Sequence, residues 1–143
     1  MPATLEARLR TRTFARVFGP FLTIVPTVVL FRMRAMGVLV SSFFGNPAVV
    51  WMMGALVLMS GLLIIAFHQY WHSVSAVLLS LLGWFFALRG LALLAAPELY
   101  SKSAAAFSTG NMTRVAYAFP AFMLSIGIWF TYTGWIAKPP AHP

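Results

Sequence analysis

Residues 35–88 read AMGVLVSSFFGNPAVVWMMGALVLMSGLLIIAFHQYWHSVSAVLLSLLGWFFAL and contain no Lys, Arg, Asp or Glu. Within this stretch only His68 and His72 titrate near neutral pH. A hydrocarbon core roughly 30 Å thick is crossed by about 20 apolar residues in helical form. Two such runs lie back to back here, parted by His68-Gln69-Tyr70-Trp71-His72-Ser73. Tyr and Trp concentrate at bilayer surfaces, so the parting segment reads as an interfacial turn between two spans. The spans are predicted at 47–67 and 74–96. Asn46 supplies the N-cap and Pro47 the first helical residue of the earlier one.

Composition widens the same reading. The chain has 143 residues, of which 61% are hydrophobic and 8% charged. A soluble domain carries roughly 25% charged residues. A chain this small is mostly surface and has too little interior to hide so much apolar area from water. One membrane domain is therefore expected over 1–143, an all-α integral membrane protein built as a bundle of four transmembrane helices.

Outward from the central stretch, a first span is predicted at about 17–31, interrupted by Pro20 and Pro26, with Arg16 snorkelling to the headgroups. Pro26 is expected to kink it. The basic segment 1–16 reads either as a short amphipathic helix or as a solvated tail. Arg32-Met33-Arg34 follows the apolar run where a cleavable signal would carry small residues, so an uncleaved first helix is expected. Residues 35–44 are apolar but too short to span and read as an interfacial helix. Pro97 starts a second short surface helix over 97–107. Its Glu98 complements the helix dipole and is spaced to pair with Lys102. A fourth span is predicted at about 115–137, after a polar loop at 108–113, and a tail at 138–143 ends the chain.

Net charge is +8, from ten Lys and Arg against Glu6 and Glu98. A nucleic-acid partner would need a basic face on a soluble fold, and none is indicated. The cluster Arg8, Arg10, Arg12 and Arg16 instead suits anionic lipid headgroups. With the N-terminus inside, the inner side carries that cluster and Lys138, and the outer side Arg32, Arg34, Lys102 and Arg114. The excess favours cytoplasmic termini.

Few residues offer chemistry. Cysteine is absent, which removes disulfides, thiol catalysis and thiolate metal sites. Two carboxylates, both outside the spans, give no pair for general acid–base work, and no intramembrane carboxylate is present for proton-coupled exchange. No phosphate loop or nucleophile elbow occurs. No enzyme activity and no cofactor is expected.

Arg89 is the leading candidate for function, because a charge within a span is costly to keep there. Three roles are open to it: snorkelling to the nearer interface, donating to carbonyls freed by Pro26 or Pro120, or binding an anion or lipid phosphate. Glu98, nine residues on, falls on the opposite helical face. His68 and His72 have the i,i+4 spacing at which helical imidazoles share a metal, but the ligand set is incomplete, and an interfacial turn in which they sense pH or meet water competes with it. Trp71 belongs to the same turn. Gly54 with Gly61, Gly83 with Ala87 and Gly90, and Ser125 with Gly127 offer small faces for helix packing or self-association.

Taken together, Ala15-Arg16-Val17-Phe18-Gly19, Asn46-Pro47, Gly54, Gly61, His68-x-x-Trp71, Gly83-Trp84, Arg89-Gly90 and Pro97 form a layout that covers most of the chain. This layout resembles a family of small uncharacterised bacterial inner-membrane proteins. Its core is H-x-x-W, then G-W, then a basic residue with Gly, then Pro. Members often have Asn where this chain has Gln69 and Lys where it has Arg89. The resemblance implies a four-helix membrane protein in which a point positive charge suffices at position 89, since Lys cannot make the guanidinium fork. It implies no activity.

Two functions follow as expectations. One is a non-enzymatic accessory or assembly subunit of a larger membrane complex, partnered by other membrane subunits or by itself. The alternative is a homo-oligomeric channel or transporter for anions or protons, using Arg89 and the His68/His72 turn.

Overall fold

The chain is helical through nearly all the described residues, which are 5–68, 70–71, 73–108 and 113–137 of a computed structural model. In order these are α1 (Leu5–Phe31), α2 (Met33–Phe44), α3 (Pro47–Phe67), α4 (Val74–Ala95), α5 (Pro97–Ser108) and α6 (Thr113–Thr131), which runs into a π-helical turn, Tyr132–Ile136. Among the described residues there is no strand. Four stretches, Glu6–Phe31, Pro47–Phe67, Val74–Ala95 and Ala116–Ile136, are long and apolar enough to cross a membrane.

The helix starts follow local chemistry. Asn46 is extended, and its side chain accepts from the Val49 N–H at 3.4 Å ahead of Pro47. Ser73 does the same for α4, accepting from the Ala76 N–H at 3.2 Å. Such caps satisfy N–H groups that the first turn leaves without helical partners. His68 ends α3 in an extended conformation while its N–H still reaches the Ile64 carbonyl at 2.8 Å.

The basic segment is helical from Leu5 and runs without a break into the first predicted span as a single helix, α1, continuous through Arg8, Arg16, Pro20 and Pro26. Each proline removes one N–H, freeing the carbonyl four residues earlier. The Arg16 carbonyl freed by Pro20 accepts instead from Trp135 Nε1 at 3.2 Å.

Two helix pairs make the bundle: α3 with α4, and α1 with α6. In the first pair a Cβ on Gly61 would collide with the Ala87 backbone, and one on Gly90 with the Leu58 backbone. The two backbones thus meet at one glycine on each helix, while Gly54 and Gly83, seven residues away, pack against the Leu94 and Ile64 side chains. Close approach of this kind substitutes for hydrophobic driving force between helices in lipid. The second pair meets along Gly19, Thr23, Gly127, Thr131 and Gly134. The Thr23 and Thr131 hydroxyls bond back to the Gly19 and Gly127 carbonyls at 2.8 and 2.9 Å, and lie 3.3 Å from each other. Of the small residues singled out in the sequence, Ser125 faces outward and takes no part. Gly19 and Gly134 join the seam without a packing signal of their own in the sequence.

The pairs join where Ala15, Leu22, Ile64, Leu79, Leu82 and Phe130 form the buried core. Trp129 Nε1, on α6, adds a 3.2 Å bond to the Ser75 hydroxyl at the start of α4. The start of α1, the α3–α4 connection and the end of α6 therefore share one end of the bundle. The short helices α2 and α5 touch each other at the opposite end.

Candidate functional site

Arg89 lies in the last third of α4, on the side that faces α2 and α5. Its guanidinium carbon sits 5.3 Å from the centre of the Tyr100 ring, a cation–π distance. Tyr100 follows Arg89 in sequence and belongs to the next helix, so the side chain stretches toward the α5 end of the bundle. That is the direction of the snorkelling reading. No carbonyl freed by Pro26 or Pro120 receives a hydrogen bond from it. The guanidinium is partly exposed and among the described residues has no carboxylate partner. The sole ion pair among those residues joins Arg10 to Glu6 at 2.7 Å. Glu98 is exposed on α5 and pairs neither with Arg89 nor with Lys102.

Arg89 opens into a recess of about 720 Å³ formed by α2, α3, α4 and α5. Its walls are mostly apolar, with Val40 and Phe43 from α2, Met53 and Val57 from α3, and Leu93 from α4. Ser42, Asn46 and Tyr100 add a few polar groups. Concave, largely apolar sites of about 300–1,000 Å³ with a few convergent polar groups are the usual form of small-molecule pockets. Sequence reasoning missed Tyr100. Its meeting with Arg89 depends on α5 folding back over the bundle, which no local pattern signals.

A second polar cluster occupies the other end. His68 is fully buried at the junction of α1, α3 and α4. Its Nε2 lies 2.9 Å from Thr11 Oγ1, and the Thr11 hydroxyl donates to the Ala7 carbonyl at 2.9 Å. With its hydrogen on the Ala7 carbonyl, the threonine oxygen can accept from an Nε2–H. On the other face, Nδ1 is 3.5 Å from Ser80 Oγ, at the limit of hydrogen bonding, while Ser80 also donates to the Tyr70 carbonyl at 3.2 Å. Phe14 and Tyr70 present ring edges at 5.7 and 5.3 Å. His68 is the extended cap of α3, which ends at Phe67, rather than a residue within a helix. His72 lies outside the described residues. Among those described, no three His, Cys, Asp or Glu side chains gather as a metal site. Trp71, in the same connection, is 57% exposed.

Two of the basic residues reach carbonyls at the end of α6. Arg12 donates from Nε to the Gly134 carbonyl at 3.0 Å and from Nη2 to the Ala137 carbonyl at 2.6 Å. Arg16 Nε also reaches the Gly134 carbonyl at 3.0 Å, and its guanidinium lies 5.7 Å from the Trp135 ring. The π-helical turn leaves these carbonyls without helical partners, and cations suit the negative end of the helix dipole. Arg8 and Arg10 stay exposed. Lys138 and the 109–112 loop lie outside the described residues.

The chain matches no protein-family model, no curated protein sequence and no solved structure.

Proposed function

We propose that the chain is an integral protein of the bacterial inner membrane, crossing it on α1, α3, α4 and α6, with α2 and α5 at the outer surface and both termini cytoplasmic. We further propose that it serves there as a non-enzymatic accessory or assembly subunit of a larger membrane complex. One observation carries this reading. The bundle's buried polar side-chain atoms all have partners among the described residues, whereas its flank is a continuous apolar surface. On α3 alone Trp51, Met52, Leu56, Met59 and Leu63 are all exposed. Such a surface is tolerated in lipid or against other apolar helices, and large exposed apolar patches on a soluble protein mark interaction sites.

The conduit reading has less support. Arg89 and the His68 cluster sit toward opposite ends of α4. The buried α4 residues between Ser80 and Arg89 are Leu82, Gly83 and Ala87. No polar side chain bridges that interval.

Placement is tested by alkaline carbonate extraction of membranes, with the chain expected in the pellet. The subunit reading is tested by purification in mild detergent at native abundance. A stoichiometric co-purifying membrane protein supports it. A protein that stays alone and passes anions or protons in liposomes rejects it in favour of the conduit.

A further inference from the structure

We infer that the Arg89 recess is a binding site for one acidic phospholipid, its phosphate held by Arg89 and an acyl chain lying between α2 and α3. The inference rests on the membrane placement proposed above, but not on the accessory-subunit role. Arg89 brings a fixed positive charge and five N–H donors. Its guanidinium meets the face of Tyr100, which takes none of those donors as a hydrogen bond. Neither carboxylate of the chain meets it: Glu6 is held by Arg10, and Glu98 faces outward on α5.

A guanidinium left in apolar surroundings calls for an anion, and phosphate is the oxyanion its fork fits best. The rest of the recess defines what the anion is attached to. Leu39, Val40 and Phe43 from α2 and Met53 and Val57 from α3 line the recess beside the charge with apolar walls, the channel that the acyl chain would fill. Leu39 and Met53 are themselves exposed, so the channel opens on the flank of the bundle, where lipid chains lie. A free inorganic anion would use the charge but leave this channel empty. The recess also contains no carboxylate to receive a choline or ethanolamine cation, which favours a headgroup whose negative charge is not already neutralised.

The test uses the full-length protein in neutral detergent, titrated with dioleoyl phosphatidylglycerol or dioleoyl phosphatidylcholine and read by native mass spectrometry. One phosphatidylglycerol is expected to bind at least about tenfold more tightly than phosphatidylcholine. Arg89→Gln should remove that preference, a loss of about tenfold or more for a charge-assisted hydrogen bond. Arg89→Lys should keep part of it. Arg8→Gln, at the far end, should leave the tight site in place. Val57→Trp, which fills the channel and keeps the charge, should weaken binding without changing helix content. That variant and the headgroup comparison decide the matter even where Arg89→Gln fails to fold. Equal binding of the two lipids overturns the proposal. So does displacement of the lipid by millimolar inorganic phosphate, which identifies a free-anion site. Tight phosphatidylglycerol binding that survives Val57→Trp and Arg89→Gln but is lost in Arg8→Gln places the site at the basic end, against the proposal. A partner protein that needs Arg89 while the purified chain takes up no lipid overturns it too, in favour of a partner's carboxylate. Failure in any of these ways leaves carbonate extraction unaffected, so it is distinguishable from failure of the membrane placement.

Discussion

Trp135 Nε1 donates to the Arg16 carbonyl, the oxygen that Pro20 deprives of its helical partner. The proline therefore creates on α1 the acceptor that fastens the end of α6. A net hydrogen bond of this kind contributes about 1 kcal/mol. Trp135→Phe keeps an aromatic face for Arg16 and loses the donor, and should cost about that much. In a Pro20→Ala background the restored backbone N–H takes the Arg16 carbonyl, and the same Trp135→Phe substitution should cost close to nothing. A double-mutant cycle on thermal unfolding in detergent reads the coupling. Equal costs in both backgrounds reject the link.

Arg12 spans two carbonyls with one guanidinium. Arg12→Ala should destabilise by about 1.5–3 kcal/mol, the range for hydrogen bonds to charged groups. Arg12→Lys, with a single ammonium, should recover only part of this. Arg8→Ala should stay within about 0.5 kcal/mol of the parent, since its side chain is exposed. Comparing the three melting curves checks the order. A loss for Arg8→Ala matching that for Arg12→Ala would show that net charge, rather than the clasp, matters.

The buried imidazole has a predicted protonation pattern. With Thr11 already donating to Ala7, the neutral ring should carry its hydrogen on Nε2. Nitrogen chemical shifts of selectively labelled His68 report the tautomer directly. Thr11→Val should destabilise by about 1–3 kcal/mol, because it removes the 2.9 Å hydrogen bond to a buried imidazole. Ser80→Ala should cost less, since its contact to the ring is long. A ring hydrogen on Nδ1, or a larger loss at Ser80, contradicts the assignment.

Glycine should matter where backbones meet and nowhere else. Gly61→Ala forces α3 and α4 apart and should cost more than about 1 kcal/mol, as overpacking typically does. Gly37→Ala, exposed on α2, should stabilise by up to about 1 kcal/mol through helix propensity alone. Opposite signs in unfolding free energy are the expected outcome. The same sign at both positions would mean that the seam relaxes around a methyl group.

Much of the helix layout is legible in the sequence because it rests on local chemistry. Asn46-Pro47 marks a start wherever it occurs before an apolar run, and the charge-free stretch has the right length for two helices. The positions of α3, α4 and α5 follow from such signals to within a residue or two. Legibility ends where partners come from far along the chain. Arg8 to Arg16 read as a separate surface segment because their charges argue against burial. Arg12 and Arg16 are accommodated in α1 only because the end of α6 offers carbonyls more than a hundred residues later. Arg89 can be singled out from cost alone. The direction of its side chain, toward Tyr100, requires α5 to return over α4. His68 reads mainly as part of an interfacial turn with weak metal-pair spacing to His72, and nothing local signals that α1 folds over it and buries it against Thr11. The π-helical turn has no advance signal, since Gly134 has its meaning only against Ala15 and Arg16.

The clasp between the beginning of α1 and the end of α6 also constrains the order of assembly. α1 precedes the other five helices in sequence and has its main neighbour in α6, whereas α3 and α4 are consecutive and can zip together at once. Contacts that span nearly the whole chain form late, after the entropy of closing that loop has been overcome. Until then α1 must wait with Arg12 and Arg16 lacking their acceptors. A nascent chain truncated before Trp129 should therefore hold a finished central hairpin beside an unpaired first helix, exposed to quality-control proteases until the final segment arrives.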